Sequence, residues 1–309
     1  MKKTVLVVTI LVLVLSLSFA MFACEKEAPP IMEDETIDME FDEEIKVQDA
    51  KMTKGTDVRI MSYNVEVNAW GGKDREKPKE RARRFEQTLC YYAPDVVALQ
   101  EVCESWHNNI TKTTKKYYTI MFNDPFDYTT MAYNKSKVEL IEKGKIKYSK
   151  HHEKVIQMMR VIAYGVFKDK ATGKTFIVTS THLDFHPHEE TMNIQIDELA
   201  KFVKEKSAEF DNCPIFAAGD YNVQEQVTKD PANCNDIYLT IAPKTGLIDA
   251  NYIEGIEKVD GEKAKWNDAK WDHIFVSDAS MIKKYGIASA EYYTKISDHY
   301  PIYVDATLK

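Results

Sequence analysis

Cysteine is scarce in this 309-residue chain: five are present, Cys24, Cys90, Cys103, Cys213 and Cys234, and none stands in a CxxC pair. That spacing excludes a zinc ribbon. One or two disulfides are compatible with an exported chain, but the sequence does not pair them. Positive charge is short as well. Lys and Arg number 41 against 49 Asp and Glu, a net charge of −8. Residues 25–56 hold 11 acidic and 4 basic side chains; with these and Lys2 and Lys3 set aside, 38 acidic face 35 basic, a net of −3. A protein that holds long duplex nucleic acid usually shows a basic stripe, because phosphate neutralisation supplies most of the affinity. No such stripe is present. The densest basic cluster, Arg81-Ala82-Arg83-Arg84, lies in a helical pattern and reads as a solvated face. Internal repeats and a second linker are also lacking, so the stretch from Asp57 to Lys309 reads as one large domain with a substantial core.

The one long apolar run is at the N-terminus. Lys2 and Lys3 precede Val5 to Ala23, and Cys24 follows. A basic start, an apolar middle and a small residue before the cysteine read as a secretory signal. The run is also long enough to span a bilayer, so an uncleaved anchor is the competing reading. Met21-Phe22-Ala23-Cys24 resembles the lipobox of bacterial lipoproteins, although Phe22 is bulkier than that group usually carries. The expectation is residues 1–24 as a signal peptide with a lipid anchor at Cys24, and an exported protein, membrane-tethered or secreted. Residues 25–56 are acidic, contain Pro29-Pro30 and have almost no periodic apolar face, which predicts a disordered tether. Residues 57–309 are then the folded domain, expected as a monomer.

Within it, short apolar runs alternate with helical patterns. Val58 to Val65, Asp95 to Glu101, Tyr117 to Phe122, Thr130 to Asn134, Val138 to Lys143, Arg160 to Lys168, Thr175 to Leu183, Pro214 to Ala218, Asp272 to Val276 and Tyr300 to Leu308 read as strands. Lys79 to Tyr92 and Glu190 to Phe210 read as amphipathic helices. Hairpins join many of the strands, which predicts an α/β domain of two packed sheets covered by helices.

Several of these strands end in polar groups. Asn64 ends SYN, Glu101 ends ALQE, His182 and Asp184 lie in STHLD, Asp220 and Asn222 follow Pro214-Ile215-Phe216-Ala217-Ala218, Asp272 opens WDHIFV, and Asp298-His299 precede the last strand. Ligand-binding groups concentrate at such ends, where backbone pairing stops and a crevice forms. The inventory suits one chemistry. A hard divalent cation takes one or two carboxylates plus phosphate oxygens and water. Phosphoester cleavage adds an oriented water, a partner for its proton and donors to the oxygens that gain charge. Taken singly, each residue has a plainer use: His182 as a satisfied structural histidine, Asp220-Tyr221-Asn222 as an Asx turn, Glu101 beside a helix N-cap, Asn64 as a loop cap.

In order along the chain, MSYNV, ALQEV, MMRVIAYGVF, STHLD, AAGDYNV, WDHIFVS and SDHYP resemble the motifs of the endonuclease/exonuclease/phosphatase superfamily, from about Val58 to Leu308. The resemblance implies a four-layered α/β/β/α sandwich with the site at one end. It implies Glu101 as the ligand to Mg²⁺ or Mn²⁺, with Asn64 and Asp298 at the metal or its water shell. It implies His299 as general base or water-orienting residue, held in its tautomer by Asp272; Asp220 aligning the nucleophile or handling the leaving-group proton; and Asn222 and His182 donating to phosphoryl oxygens. Arg160 is expected either on substrate phosphate or on a site carboxylate. His273 is read as structural, because period-two alternation sends it away from Asp272. Asp184 is read as a loop brace, His186 and His188 as a solvated rim, and Tyr133 as a loose match to a site tyrosine. The bond is a phosphoester; the molecule that carries it, a small phosphoester, a lipid headgroup or nucleic acid, stays open. An extracellular nuclease is the alternative, and a silent binding protein would have lost a ligand or base.

Overall fold

A computed structural model describes residues 40–46, 50–67, 76–122, 127–152, 159–223, 235–260, 271–288 and 290–309. The chain divides into Met1–Met39, which lies outside the described residues together with the candidate leader and Cys24, and the unit Glu40–Lys309. Among the described residues no helix is long and apolar enough to cross a membrane. Cys90, Cys103 and Cys213 are free thiols; Cys234 is outside the description.

In chain order the strands are β1 Val58–Asn64, β2 Val96–Gln100, β3 Tyr118–Ile120, β4 Thr130–Asn134, β5 Val138–Lys147, β6 Val161–Asp169, β7 Thr175–His182, β8 Ile215–Asp220, β9 Ile248–Asp249, β10 Glu257–Asp260, β11 Asp272–Val276, β12 Ile282–Ile287 and β13 Ile302–Ala306. They form a seven-stranded sheet, order β10-β12-β13-β1-β2-β4-β3, and a six-stranded sheet, order β5-β6-β7-β8-β11-β9. Helices Pro78–Tyr92 and Glu104–Thr114 and the short Glu291–Thr294 cover the outer face of the first sheet through Ala82, Phe85, Trp106, Ile110 and Tyr293. Helices Glu189–Glu209 and Asn235–Thr245 cover the second through Ile196, Leu199, Phe202 and Ile241. The expected four-layered α/β/β/α sandwich is the observed architecture.

Between the sheets, side chains alternate with the pleat. Val58 and Ile60, Val96 and Ala98, Phe176 and Val178, Phe216 and Ala218, and Val276 and Ile274 build the central core. Continuing two residues at a time in the same direction gives Ser62 and Asn64, Gln100, Ser180 and His182, Asp220 and Asp272. The layer thus changes from apolar to polar toward one end. Gln100 Nε2 donates to Ser180 Oγ at 3.0 Å and Ser180 Oγ donates to the Leu99 carbonyl at 3.1 Å, pinning the two sheets where the change occurs.

Topology then gathers the ends. β1 with β2 and β7 with β8 pair in parallel, so Asn64 lies beside Gln100 and His182 beside Asp220. β11 runs antiparallel to β8, which sets its first residue, Asp272, opposite Asp220. Gly219 makes the β7–β8 contact close. A Cβ there would stand 2.1 Å from the Thr181 carbonyl oxygen, a backbone atom with no flexible end to yield.

Three expectations are corrected. Of the segment expected as tether, residues 40–46 and 50–56 are packed on the domain, and 25–39 and 47–49 lie outside the described residues. Ile45 is fully buried, Asp42 and Glu44 pair with Arg83, Arg84 and Lys295, and the buried Arg59–Asp305 pair also donates to the carbonyls of Ala50 and Lys51. The basic cluster is only partly a solvated face. Arg83 is exposed, whereas Arg81 and Arg84 are buried, and Arg81 donates to the carbonyls of Val65, Glu66 and Ile296. Strand β12 escaped the pattern because Lys283-Lys284 interrupts it; buried Lys284 reaches the Lys51 carbonyl and Glu257.

Gly219→Ala is expected to lower the unfolding free energy by about 1–3 kcal/mol, the range for steric overpacking. Urea unfolding measures it, and a loss below about 0.5 kcal/mol would show that β7 and β8 can part freely. His273 supplies a second test. It is buried, with Nδ1 2.7 Å from Asp249 Oδ2 and Nε2 3.1 Å from the Val223 carbonyl, the structural role expected. Burial opposes its charge, but Asp249 and the Val223 carbonyl prevail and raise its pKa above the ordinary value. A raised histidine pKa stabilises the fold below the unfolded value of about 6.5, and that stabilisation is lost as pH rises through the folded value. The fall in urea midpoint from pH 6 to pH 8.5 should therefore be smaller in His273→Gln than in the parent; an equal fall would refute the coupling.

Candidate active site

Asp220 ends β8 and divides its carboxylate between two tasks. Oδ1 accepts the Asn222 backbone N–H at 2.9 Å, closing an Asx turn. Oδ2 accepts Asn64 Nδ2 at 2.9 Å and lies 3.4 Å from His182 Nε2 and 3.7 Å from His299 Nε2. The turn and the site are thus the same feature. Asn222 has φ +52°, which an Asn tolerates better than most residues, and its Nδ2 donates to the Leu183 carbonyl at 2.9 Å. An amide nitrogen carries two hydrogens, so one remains for a ligand.

Asn64 joins two carboxylates. Its Nδ2 also donates to Glu101 Oε1 at 3.1 Å, while its Oδ1 accepts the Glu66 N–H at 2.9 Å. Glu101 Oε2 accepts the Val67 N–H at 2.8 Å. Glu101 sits just past β2 with φ +63°, a left-handed conformation unfavourable for a residue with a Cβ. Such strain persists only where the surroundings over-determine it. Here its carboxylate accepts two hydrogen bonds and its carbonyl accepts the Cys103 N–H at 3.0 Å.

His299 is held from one side. Its Nδ1 lies 2.6 Å from Asp272 Oδ2, leaving Nε2 toward Asp220 and, at 3.9 Å, Asp298 Oδ1. Burial disfavours the imidazolium, but Asp272, Asp220 and Asp298 outweigh it and hold its pKa well above the ordinary value. Burial pushes the Asp220 carboxyl up to about 6 against the pull of His299. Ser297 organises this corner and had no role assigned from the sequence. Its Oγ donates to the Asn64 carbonyl at 2.7 Å and accepts the His299 N–H at 3.1 Å. Its place directly before Asp298-His299 was the only available signal.

His182 is buried, and burial, Arg160 and His299 together hold its pKa well below the ordinary value. It is therefore neutral at pH 7, a hydrogen-bonding imidazole and not a cation. Of the two roles open to Arg160, the structure shows the carboxylate pair, with Nε 3.3 Å from Asp184 Oδ1 and both side chains buried. Asp184 also accepts the His152 N–H and Gln195 Nε2, which makes it the loop brace expected. Tyr133 does not join the site. It pairs with Val96 at the opposite end of β2 from Gln100 and packs on Phe167.

The remaining question is a cation. Ligand atoms of Asp220, Asp272 and His299 fall within 4.8 Å of one another. Asp272 and His299 are bound to each other, however, which suits them to proton handling. Glu101 and Asp220, joined through Asn64, and Asp298 at the mouth with its side chain 56% exposed offer the hard oxygen donors that suit a divalent cation.

Proteins of known family and fold resemble this chain. The sequence profile described as "Endonuclease/Exonuclease/phosphatase family" matches residues 61–299. The chain is similar to tyrosyl-DNA phosphodiesterase 2 of Xenopus laevis, 25% identical over 168 residues, 54% of this chain and 41% of the relative. With the human protein of that name the figures are 23% over 198 residues, 62% of this chain and 50% of the relative. The chain thus spans half the length or less of these curated relatives. In fold it is similar to an endonuclease/exonuclease/phosphatase of Bacteroides vulgatus, with TM-score 0.64 and 24% identity over 82% of this chain and 100% of that one. It is likewise similar to a mannosyl-6-phosphatase of Bacteroides thetaiotaomicron, with TM-score 0.64 and 23% identity over 80% and 98%. The motifs in order, the two-sheet sandwich and the matched profile lead to one conclusion: the chain belongs to the endonuclease/exonuclease/phosphatase family, whose members hydrolyse phosphoester bonds.

Proposed function

We propose that this protein is an exported, Mg²⁺-dependent phosphohydrolase that cleaves a small phosphoester by in-line attack of water. One observation carries the reading: His299, fixed by Asp272 through Nδ1, turns Nε2 toward Asp220 while Asn64 ties that same carboxylate to Glu101. A held imidazole, a carboxylate and a second carboxylate open to a cation thus share one small volume.

Glu101, with Asp298 and Asn64 beside it, would hold the cation. Bound there, Mg²⁺ would neutralise charge on the phosphoryl oxygens and lower the pKa of a bound water. The chain's own residues supply the rest. Asp220, ionised above pH 6, accepts from the attacking water and orients it. His299 Nε2 exchanges a proton with the reacting oxygens while Asp272 keeps its tautomer and orientation. Neutral His182 and the second N–H of Asn222 donate to the phosphoryl oxygens. The names of the relatives include a phosphodiesterase and a phosphatase, so the family leaves mono- and diester open. The near balance of charge beyond residue 56 favours a small substrate over long duplex nucleic acid. The leader pattern supports export, and Cys24 a lipid anchor.

With Mg²⁺ and a panel of phosphomonoesters, sphingomyelin, plasmid and RNA, turnover is expected on a small phosphoester; degradation of nucleic acid alone would overturn the substrate reading. His299→Ala and Asp220→Asn should each lower kcat by at least about a thousandfold with the circular dichroism spectrum retained. Retained activity in His299→Ala would refute its role. Glu101→Gln should raise the Mg²⁺ concentration needed for half-maximal rate at least about tenfold. Activity should fall as pH drops through about 6, because Asp220 becomes protonated, and the residual rate of Asp220→Asn should lack that limb.

A further inference from the structure

Just beyond His182 the chain builds a cluster of rings that the catalytic reading leaves unused. Phe185 is one of the few large apolar side chains exposed in the structure, 41% accessible, although it follows the fully buried Asp184. A turn closed by the His188 N–H donating to the Phe185 carbonyl at 3.0 Å brings His188 back beside it. The ring centroids of Phe185 and His188 are 5.7 Å apart, those of His152 and Phe185 6.2 Å, and those of His152 and His188 3.7 Å.

The cluster is tied to the site at several points. The His152 N–H donates to Asp184, which pairs with Arg160, and the carbonyl of Leu183 accepts from Asn222. Phe185 stands three residues after His182, so at most about 11 Å separates their Cα atoms. Among the described residues, Lys150 pairs with Glu190 and His186 with Glu189. What the surface offers is a cluster of aromatic rings on a segment that begins three residues after His182.

We propose that His152, Phe185 and His188 form a stacking platform for a ring carried by the alcohol part of the substrate, so that this site prefers phosphoesters of ring-bearing alcohols, sugars or aryl groups, over open-chain ones. The proposal rests on the phosphohydrolase reading and names its substrate class. An aromatic face stacks equally on an aryl ring or on the C–H face of a sugar, and paired local charges favour a neutral ring over a polyanion. The short distance requires that the ring be only a few bonds from the ester oxygen.

The test compares phenyl phosphate, glucose 6-phosphate and glycerol 1-phosphate on the full chain with Mg²⁺. In the parent, kcat/KM should favour one or both ring substrates over glycerol 1-phosphate. Phe185→Ala should reduce that preference about tenfold, mainly through KM, and Phe185→Trp should restore it. Phenyl phosphate and glucose 6-phosphate separate aryl from sugar specificity. Equal losses on all three substrates, or none, would overturn the platform. Calorimetric binding of the same compounds to Asp220→Asn provides a readout that needs no turnover. Preferential binding of a ring substrate, abolished by adding Phe185→Ala, supports the platform even if hydrolysis fails, whereas equal binding of all three sinks it.

Discussion

The layer between the two sheets governs everything else in this molecule. Each strand contributes every second side chain to it, and along that layer apolar residues give way first to Ser62, Ser180 and Gln100 and then to Asn64, His182, Asp220 and Asp272. Close packing fixes the register at the apolar end, because a one-residue slip would turn every inner side chain outward. The same register then dictates which functional groups meet at the polar end. Precision in the site is thus inherited from the core, and the close β7–β8 approach at Gly219 is part of that inheritance.

The polar end concentrates negative charge. Glu101, Asp220, Asp272 and Asp298 gather around His182, His299 and Asn64, and the proton affinities of His299 and Asp220 are both raised. Like charges at such distances are unfavourable unless each has a partner. Three of the four have one, Asn64 for Glu101 and Asp220 and His299 for Asp272, while Asp298 keeps an exposed side chain at the mouth. Left-handed conformations at Glu66, Glu101 and Asn222, following β1, β2 and β8, add local strain. An arrangement that costs stability in three loops at one end of the sandwich is readily understood if that end binds a cation and a phosphoryl group.

Much of this was legible in the sequence because it is carried by period-two patterns and by polar residues at strand ends. Thr130–Asn134 and Asp272–Val276 have the expected limits, and the contacts among Asn64, Glu101, Asp220, Asp272 and His299 follow from their motifs. What stayed hidden depends on long-range partners. Ile45 sits in an acidic stretch whose composition suggests disorder, and only Arg83, Arg84 and Lys295 make its packing favourable. Lys284 looks like a break in a strand until the Lys51 carbonyl and Glu257 receive it. Ser297 acts through the backbone of Asn64, and no local pattern distinguishes a serine that bridges two strand ends from one that faces water.

Arg81 shows why burial of a charge can serve a site it never enters. Its guanidinium donates to the carbonyls of Val65 and Glu66, just after Asn64, and of Ile296, just before Ser297. The loop carrying Asn64 and the loop carrying Asp298 and His299 are therefore fastened to one rigid, planar donor on the Pro78–Tyr92 helix. Trp106 backs it, lying under the guanidinium at 4.7 Å and donating to the Glu66 carbonyl. A lysine there would keep the charge but lose the planar fork that reaches both loops at once. The energetic consequence is that desolvating Arg81 is offset by the hydrogen bonds it gives to three backbone carbonyls. The geometric consequence is that the ends of β1 and the segment before β13 cannot drift apart, and with them the separation of Asn64 and His299.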